Sequence, residues 1–331
     1  MTYRIINVLI GSACNMKCGY CLQSNEKAPA DHRADPVLFA RGLSEYLKGR
    51  SPRVIAYWGG EPMLYWDRIR TTYEALALHG IVPTTHNVIT TNGRLMTDEY
   101  VEYANAHPDI WTVVSLHDGK DLTDEHMDRF FRLNRFSLSD IVHAKRTDLW
   151  EMQDLYYRLK ERYGRQPKVC VHFLRCNDGC SPEYYMSRED IDSFCSHLLQ
   201  VVHMARMGDE WAVWQCRQLL FKRNQIRARR PGALCVSEDT LSVDLHGNTY
   251  ECHHDFSASN VTGNLFRRGF IPIRSGAPRH DPMRFAGTDA CKACEFFNEC
   301  RGGCYTSNTH DLDCYLNRRL GKIFQQMEKA V

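Results

Sequence analysis

The sequence predicts an α/β protein, an incomplete (β/α)6 barrel of the TIM-like kind with a small cysteine-rich C-terminal domain. Two observations carry that expectation. From the start of the chain to about Asn177, strand-like and helix-like stretches alternate six times, and successive βα units build a parallel sheet through right-handed crossovers. After Gly232 the texture changes to short strands, turns and closely spaced cysteines. Six units stop short of the eight that close a barrel, and chemistry in such folds sits at the carboxyl ends of the strands. The expected division is residues 1–226 for the barrel and the helices that follow it, and 227–331 for the cysteine-rich domain.

Each element has its own signal. RIINVLI reads as the first strand, followed by a cysteine loop. DPVLFARGLSEYLKGR reads as a helix with Asp35 as N-cap and Pro36 at the first helical position. RVIAYWG is the second strand and YWDRIRTTYEALALHG a helix ending at Gly80. HNVIT is the third strand, and the helix TDEYVEYANAH after it has Thr97 as its cap and acids in its first turn. WTVVSL, DIVHA and KVCVHFL read as the fourth, fifth and sixth strands, separated by the helices TDEHMDRFFRL and LWEMQDLYYRLKERYG. Residues 187–226 read as helical, and the basic run FKRNQIRARRP as a solvated helix end, with a binding patch as its other reading. TLSVDLHGNTYEC reads as a hairpin with a Gly-Asn turn.

Composition narrows the class. A chain of 331 residues, 43% of them hydrophobic, buries one large core and a smaller one. With 42 basic and 40 acidic residues the formal charge is +2, so no global field points to nucleic acid or to an anionic membrane. The apolar runs are too short to span a bilayer, and no secretory leader is read before the first strand; the expected location is cytoplasmic. Fifteen cysteines are the anomaly. A reducing compartment disfavours a disulfide framework, so metal or redox use is expected. Three lie at Cys14, Cys18 and Cys21, and seven fall between Cys235 and Cys314.

Three thiolates suit an iron–sulfur cluster, because on four irons they leave one iron open for a small molecule; zinc is the alternative for the same set. The C-x3-C-x2-C spacing of Cys14, Cys18 and Cys21, with Tyr20 before the third, resembles the signature of the radical S-adenosylmethionine (radical SAM) superfamily. WGGEP, residues 58–62, stands one strand later. Its two glycines permit close backbone approach, and Glu61 is read as offering a carboxylate to an ammonium group. The resemblance implies that Gly59, Gly60, Glu61 and Pro62 receive the methionyl amino group of SAM. It implies that Asn92 in TTNG and Ser115 in SLHDG meet the ribose and carboxylate, and that Asn177 in CND meets the adenine. Each of these polar residues also has an ordinary strand-end or turn reading.

The C-terminal order Cys235, Gly247, Cys252, then Cys291, Cys294, Cys300 and Cys304, then Cys314 is similar to the SPASM extension of radical SAM enzymes. That resemblance implies three [4Fe–4S] clusters, one binding SAM and two auxiliary. Cys291, Cys294, Cys300 and Cys314 would ligate the outer auxiliary cluster, and Cys235, Cys252 and Cys304 the inner one. RARRPGAL holds no cysteine for a fourth inner ligand. Cys216 is the nearest candidate, with buried packing as its other reading, so an open inner iron is expected. Cys176 and Cys180, beyond the sixth strand, are candidates to donate a hydrogen atom. HHD, residues 253–255, puts His253 where sulfatase-maturing relatives carry an Asp base, leaving Asp255 or a histidine to take a proton.

The implied function is oxidative maturation of a peptide or protein. SAM is cleaved to a 5′-deoxyadenosyl radical, a hydrogen is removed from substrate, and an electron leaves through the auxiliary clusters to give a crosslink or a dehydrogenated side chain. A redox-neutral epimerase or a small-molecule enzyme of the same superfamily is the alternative, and a zinc-binding interaction module a distant one. No leader-binding domain is read ahead of the first strand, so a separate leader-recognition protein is one expected partner. An electron donor such as flavodoxin or ferredoxin is another.

Overall fold

The computed structural model describes residues 4–21, 34–116, 122–174, 179–227, 240–250, 252–254, 256, 260–267, 291, 293–300, 307 and 309–331. Its βα units run β1 (Ile5–Gly11), α1 (Pro36–Leu47), β2 (Val54–Gly59), α2 (Trp66–Leu78), β3 (His86–Thr91), α3 (Asp98–Ala106), β4 (Ile110–Leu116), α4 (Asp124–Phe131), β5 (Phe136–Val142), α5 (Leu149–Tyr163) and β6 (Val169–Phe173). These are the six βα units that the alternation predicts. The expected caps are in place. Asp35 accepts from the Val37 and Leu38 N–H groups at 2.8 and 3.2 Å, and Thr97 accepts from Tyr100 N–H at 3.2 Å. Each satisfies a donor that the first helical turn leaves without a partner.

One expectation is corrected, and one is resolved further. The fifth strand covers Phe136–Val142 rather than DIVHA, because Phe136 and Leu138 are buried and FSLS supplies four of the strand's seven residues. The helical stretch is two helices, α6 (Arg188–Arg206) and α7 (Glu210–Arg227). Gly208 separates them at φ +87°, a conformation that side chains with a Cβ rarely adopt.

The chain forms two compact units, residues 1–137 with 237–277, and residues 138–236 with 278–331. In the first, the strand order is β4-β3-β2-β1-β7-β8-β9, with β7 (Thr240–Asp244), β8 (Asn248–Tyr250) and β9 (Val261–Asn264). The hairpin expected from TLSVDLHGNTYEC is β7–β8. Its first strand also pairs in parallel with β1, from Ile5↔Thr240 to Leu9↔Asp244, so β1 is paired on both sides. Ile6, Val8 and Ile10 of β1 are fully buried; α1 buries Phe39, Ala40, Leu43 and Leu47. Full burial of one such side chain is worth about 1.5–3 kcal/mol.

The second unit holds β5 and β6, paired in parallel, with α5, α6, α7, α8 (Phe297–Cys300) and α9 (His310–Met327). Strand β6 turns alternate carbonyls away from β5, and α7 caps them with side chains. Trp214 Nε1 and Gln215 Nε2 both donate to Val169 O, at 3.0 and 2.9 Å. Lys222 donates to Val171 O. Capping an edge in this way removes a template for strand addition. Gln215→Leu alone should be nearly neutral, because it also removes a buried Oε1 with no partner. Trp214→Phe with Gln215→Leu leaves the Val169 carbonyl bare, at about 1–3 kcal/mol. Urea denaturation should therefore show a double-variant loss larger than the sum of the singles.

Candidate functional site

The loops that leave β1, β2 and β3 meet through direct hydrogen bonds. The first carries Cys14, Cys18 and Cys21, none of them in a disulfide. A turn brings Cys21 N–H to Cys18 O at 3.1 Å, and Cys14 Sγ accepts from Met16 N–H at 3.3 Å. Cys14 is exposed, Cys18 and Cys21 are half-buried, and Tyr20 is buried. Among the described residues no three His, Cys, Asp or Glu side chains are drawn to the spacing of ligands on one metal ion. A four-iron cluster takes each thiolate on a different iron, which asks for sulfurs set further apart. The donor set, three thiols in eight residues with no fourth among them, fits such a cluster.

The WGGEP turn packs against that loop. Gly60 N–H donates to Gly11 O at 3.0 Å and Glu61 N–H to Ala13 O at 2.9 Å. A Cβ on Gly60 would lie 2.3 Å from Ala13 O, and one on Gly59 2.7 Å from Gly11 O. The close approach that requires these glycines is therefore to the cysteine loop. Glu61 also differs from its expected use. Its side chain is 1% exposed. Oε1 accepts from Met63 N–H at 2.9 Å and from the Thr91 hydroxyl at 2.5 Å, and Oε2 from Asn92 N–H at 2.8 Å. The carboxylate joins the second loop to the third and is not held out to a ligand. Burial raises its pKa, and the three donors pull it back. Pro62 opens the short 3-10 turn Pro62–Tyr65 behind it.

Asn92 is buried, with its side chain engaged. Nδ2 donates to Asn15 Oδ1 at 2.8 Å, and Oδ1 accepts from Arg94 N–H at 3.1 Å. Ser115 stands half-buried at the end of β4. Thr91, Asn15 and Tyr65 escaped the sequence reading. Thr91 was legible only as part of TTNG and Tyr65 only as a near neighbour of WGGEP, since nothing in a single chain marks a hydroxyl that will meet a distant group.

His253 also belongs to this unit. Its ring lies 5.2 Å from the Trp58 ring and 4.1 Å from that of His254, and Trp58 Nε1 donates to Asn7 Oδ1 at 2.9 Å. Burial above all, with His254 adding to it, lowers the His253 pKa well below the usual imidazole value. Cys252 beside it is buried.

In the second unit, Cys294 N–H donates to Cys291 O at 3.1 Å and Cys300 N–H to Phe296 O at 3.0 Å. Burial pushes the Cys314 thiol up, and so does the charge of Cys291 and of Cys294. Cys216 is fully buried in α7, and burial pushes its thiol up to about 11; this is the environment of a packed thiol. Cys180 is buried, with its Sγ 3.7 Å from Ser181 O. Cys176, Asn177, Cys235, Asp255 and Cys304 lie outside the described residues.

A run of βα units whose first loop bears three thiols, with that loop hydrogen-bonded to a glycine-rich turn at the carboxyl ends of the strands, defines a class of enzyme. Residues 8–137 match the radical SAM superfamily. The chain carries a radical SAM domain over those residues and is an enzyme; domains of this kind work with a [4Fe–4S] cluster and SAM. It is 20% identical over 352 positions to the serine-type anaerobic sulfatase-maturating enzyme of Bacteroides thetaiotaomicron, covering 89% of this chain and 80% of that one. Its fold is similar to that of anSMEcpe with bound AdoMet and Kp18Cys peptide, at TM-score 0.67 and 15% identity, over 98% of this chain and 99% of that one. It is similar also to Streptococcus suis SuiB bound to precursor peptide SuiA, at TM-score 0.63 and 15% identity, over 92% of this chain and 72% of that one. Among the described residues no helix is long and apolar enough to cross a membrane.

Proposed function

We propose that the protein is an oxidative peptide or protein maturase. The observation that carries the reading is the hydrogen-bonded junction of the cysteine loop, the WGGEP turn and Asn92. It brings the cysteine loop, Gly60, Glu61 and Asn92 together at one end of the strands. Cys14, Cys18 and Cys21 would hold a cluster that, with SAM bound, would supply one-electron cleavage of a carbon–sulfur bond and hence a 5′-deoxyadenosyl radical. The chain's own groups do the rest. The backbone of Gly59–Pro62 receives the methionyl amine, while Ser115 and Asn92 take polar groups of SAM once Asn92 releases Asn15. Tyr20 closes the loop, and Asn177 meets the adenine. Trp58 and His253 form an aromatic wall, and His253, held neutral, or Asp255 takes the substrate proton.

The peptide substrate class is supported by the likeness to the sulfatase-maturating enzyme and to the two folds seen with peptides. Residues 227–331 form the electron-exit domain. Cys291, Cys294, Cys300 and Cys314 hold the outer auxiliary cluster, and Cys235, Cys252 and Cys304 hold the inner one. Cys216 packs the core, so one inner iron has no cysteine. A flavodoxin or ferredoxin supplies electrons.

The test is anaerobic co-expression with short peptides encoded beside the gene, followed by mass spectrometry. Oxidation is expected to remove two hydrogens; an unchanged mass on a modified peptide would mean a redox-neutral reaction instead. Cys291→Ala with Cys294→Ala should still form 5′-deoxyadenosine and yield no peptide product. Full product from that variant would end the electron-exit role.

A further inference from the structure

We propose that Tyr65 is a positioning residue for the first cluster ligand, Cys14, acting through the peptide that precedes it. The inference rests on the radical SAM reading of the Cys14–Cys21 loop. Strand β1 ends in a register shift between Leu9 and Gly11 in its pairing with β2. Such a bulge re-aims the chain that follows, and a re-aimed chain needs fixing. Residues 61–65 provide the fixing at Ala13, the residue before Cys14. Ala13 N–H donates to Tyr65 Oη at 2.8 Å, and Ala13 O accepts from Glu61 N–H at 2.9 Å. Both backbone polar groups of Ala13 are thus held by one short segment. On the far side of Cys14, Asn92 Nδ2 holds Asn15 Oδ1 at 2.8 Å. The first ligand is bracketed.

The phenol is itself seated from two sides. Its ring covers Gly11, where an added Cβ would fall 2.3 Å from Cζ and 2.6 Å from the two Cε atoms. The Arg68 guanidinium carbon stands 5.2 Å from the ring centroid, and Arg68 Nη1 donates to Ile10 O at 2.9 Å. Arg68, Tyr65 and Gly11 form one stack that presents Oη to a single backbone N–H. The ring fills space that any residue of its shape would fill; only the oxygen reaches the loop. Partners that orient first ligands in this way commonly matter about tenfold or more to metal retention.

Tyr65→Phe separates the two roles, because it keeps the ring and removes the acceptor. The full chain is reconstituted anaerobically with iron and sulfide. The signal of the N-terminal cluster is taken as the difference between the chain and its Cys14, Cys18, Cys21→Ala variant. In Tyr65→Phe, iron of that cluster should pass to a ferrous chelator about tenfold faster, and the electron paramagnetic resonance signal of the reduced cluster should change. In the metal-free chain the amides of residues 12–15 should exchange hydrogen faster, while the melting temperature stays close to wild type. Gly11→Ala, which drives the ring off its seat, should reproduce the faster iron loss. Wild-type release, signal and exchange in Tyr65→Phe would overturn the proposal. A wild-type chain with no N-terminal [4Fe–4S] difference signal would overturn the reading of the loop and this inference with it.

Discussion

Replacing Cys14, Cys18 and Cys21 together with Ala is expected to abolish SAM cleavage while iron stays bound to the C-terminal cysteines. The two cysteine sets lie far apart in sequence, and the first sits on a loop whose backbone the WGGEP turn holds through the Gly60 and Glu61 N–H groups. Losing the thiols therefore removes the ligands and leaves the loop its supports. If each cluster holds four irons, iron content should fall by about a third. Iron analysis and chromatography of 5′-deoxyadenosine decide the matter on one preparation. Unchanged cleavage in the triple variant would refute the assignment of the loop.

The alternation of strands and helices was legible because each element announces itself locally. Asp35, Thr97 and Gly80 are short-range signals, and the structure uses each near its expected place. What the chain does not announce is pairing at long range. TLSVD reads as a hairpin strand, but nothing in it says that its other edge lies parallel to β1. The side-chain caps on β6 are hidden for the same reason, since Trp214, Gln215 and Lys222 look like ordinary helix residues. At the site, the identities of the glycines and of Glu61 were legible, and their partners were not. A glycine pair beside a cysteine loop suggests room for a ligand. The room is taken by Ala13 O and Gly11 O, a contact that only the register of β1 on β2 creates.

Glu61→Ala is expected to be the most damaging single substitution at the site. Its carboxylate is the sole acceptor given to Met63 N–H and Asn92 N–H, and it holds the Thr91 hydroxyl as well. Each buried donor left without a partner costs about 1–3 kcal/mol, so two amides put the loss at about 2 kcal/mol or more before any cavity is counted. Glu61→Gln should cost less. Its amide oxygen serves one N–H while Thr91 turns to accept, and no charge is buried. The two forms also differ in their response to pH. The folded pKa of Glu61 lies above its ordinary value of 4.5. Between those values the unfolded chain has already released a proton that the folded chain keeps, so wild-type stability falls as pH rises through the window. Gln does not titrate, and the deficit of Glu61→Gln against wild type should shrink as pH rises above 4.5. Urea denaturation of the metal-free chain across that range reads both effects. A deficit that grows with pH would mean that the folded carboxylate is stabilised by its three donors more than burial penalises it. In the reconstituted enzyme, Glu61→Ala should lower SAM cleavage about tenfold or more, because Asn92 and the turn then lose the group that holds them together.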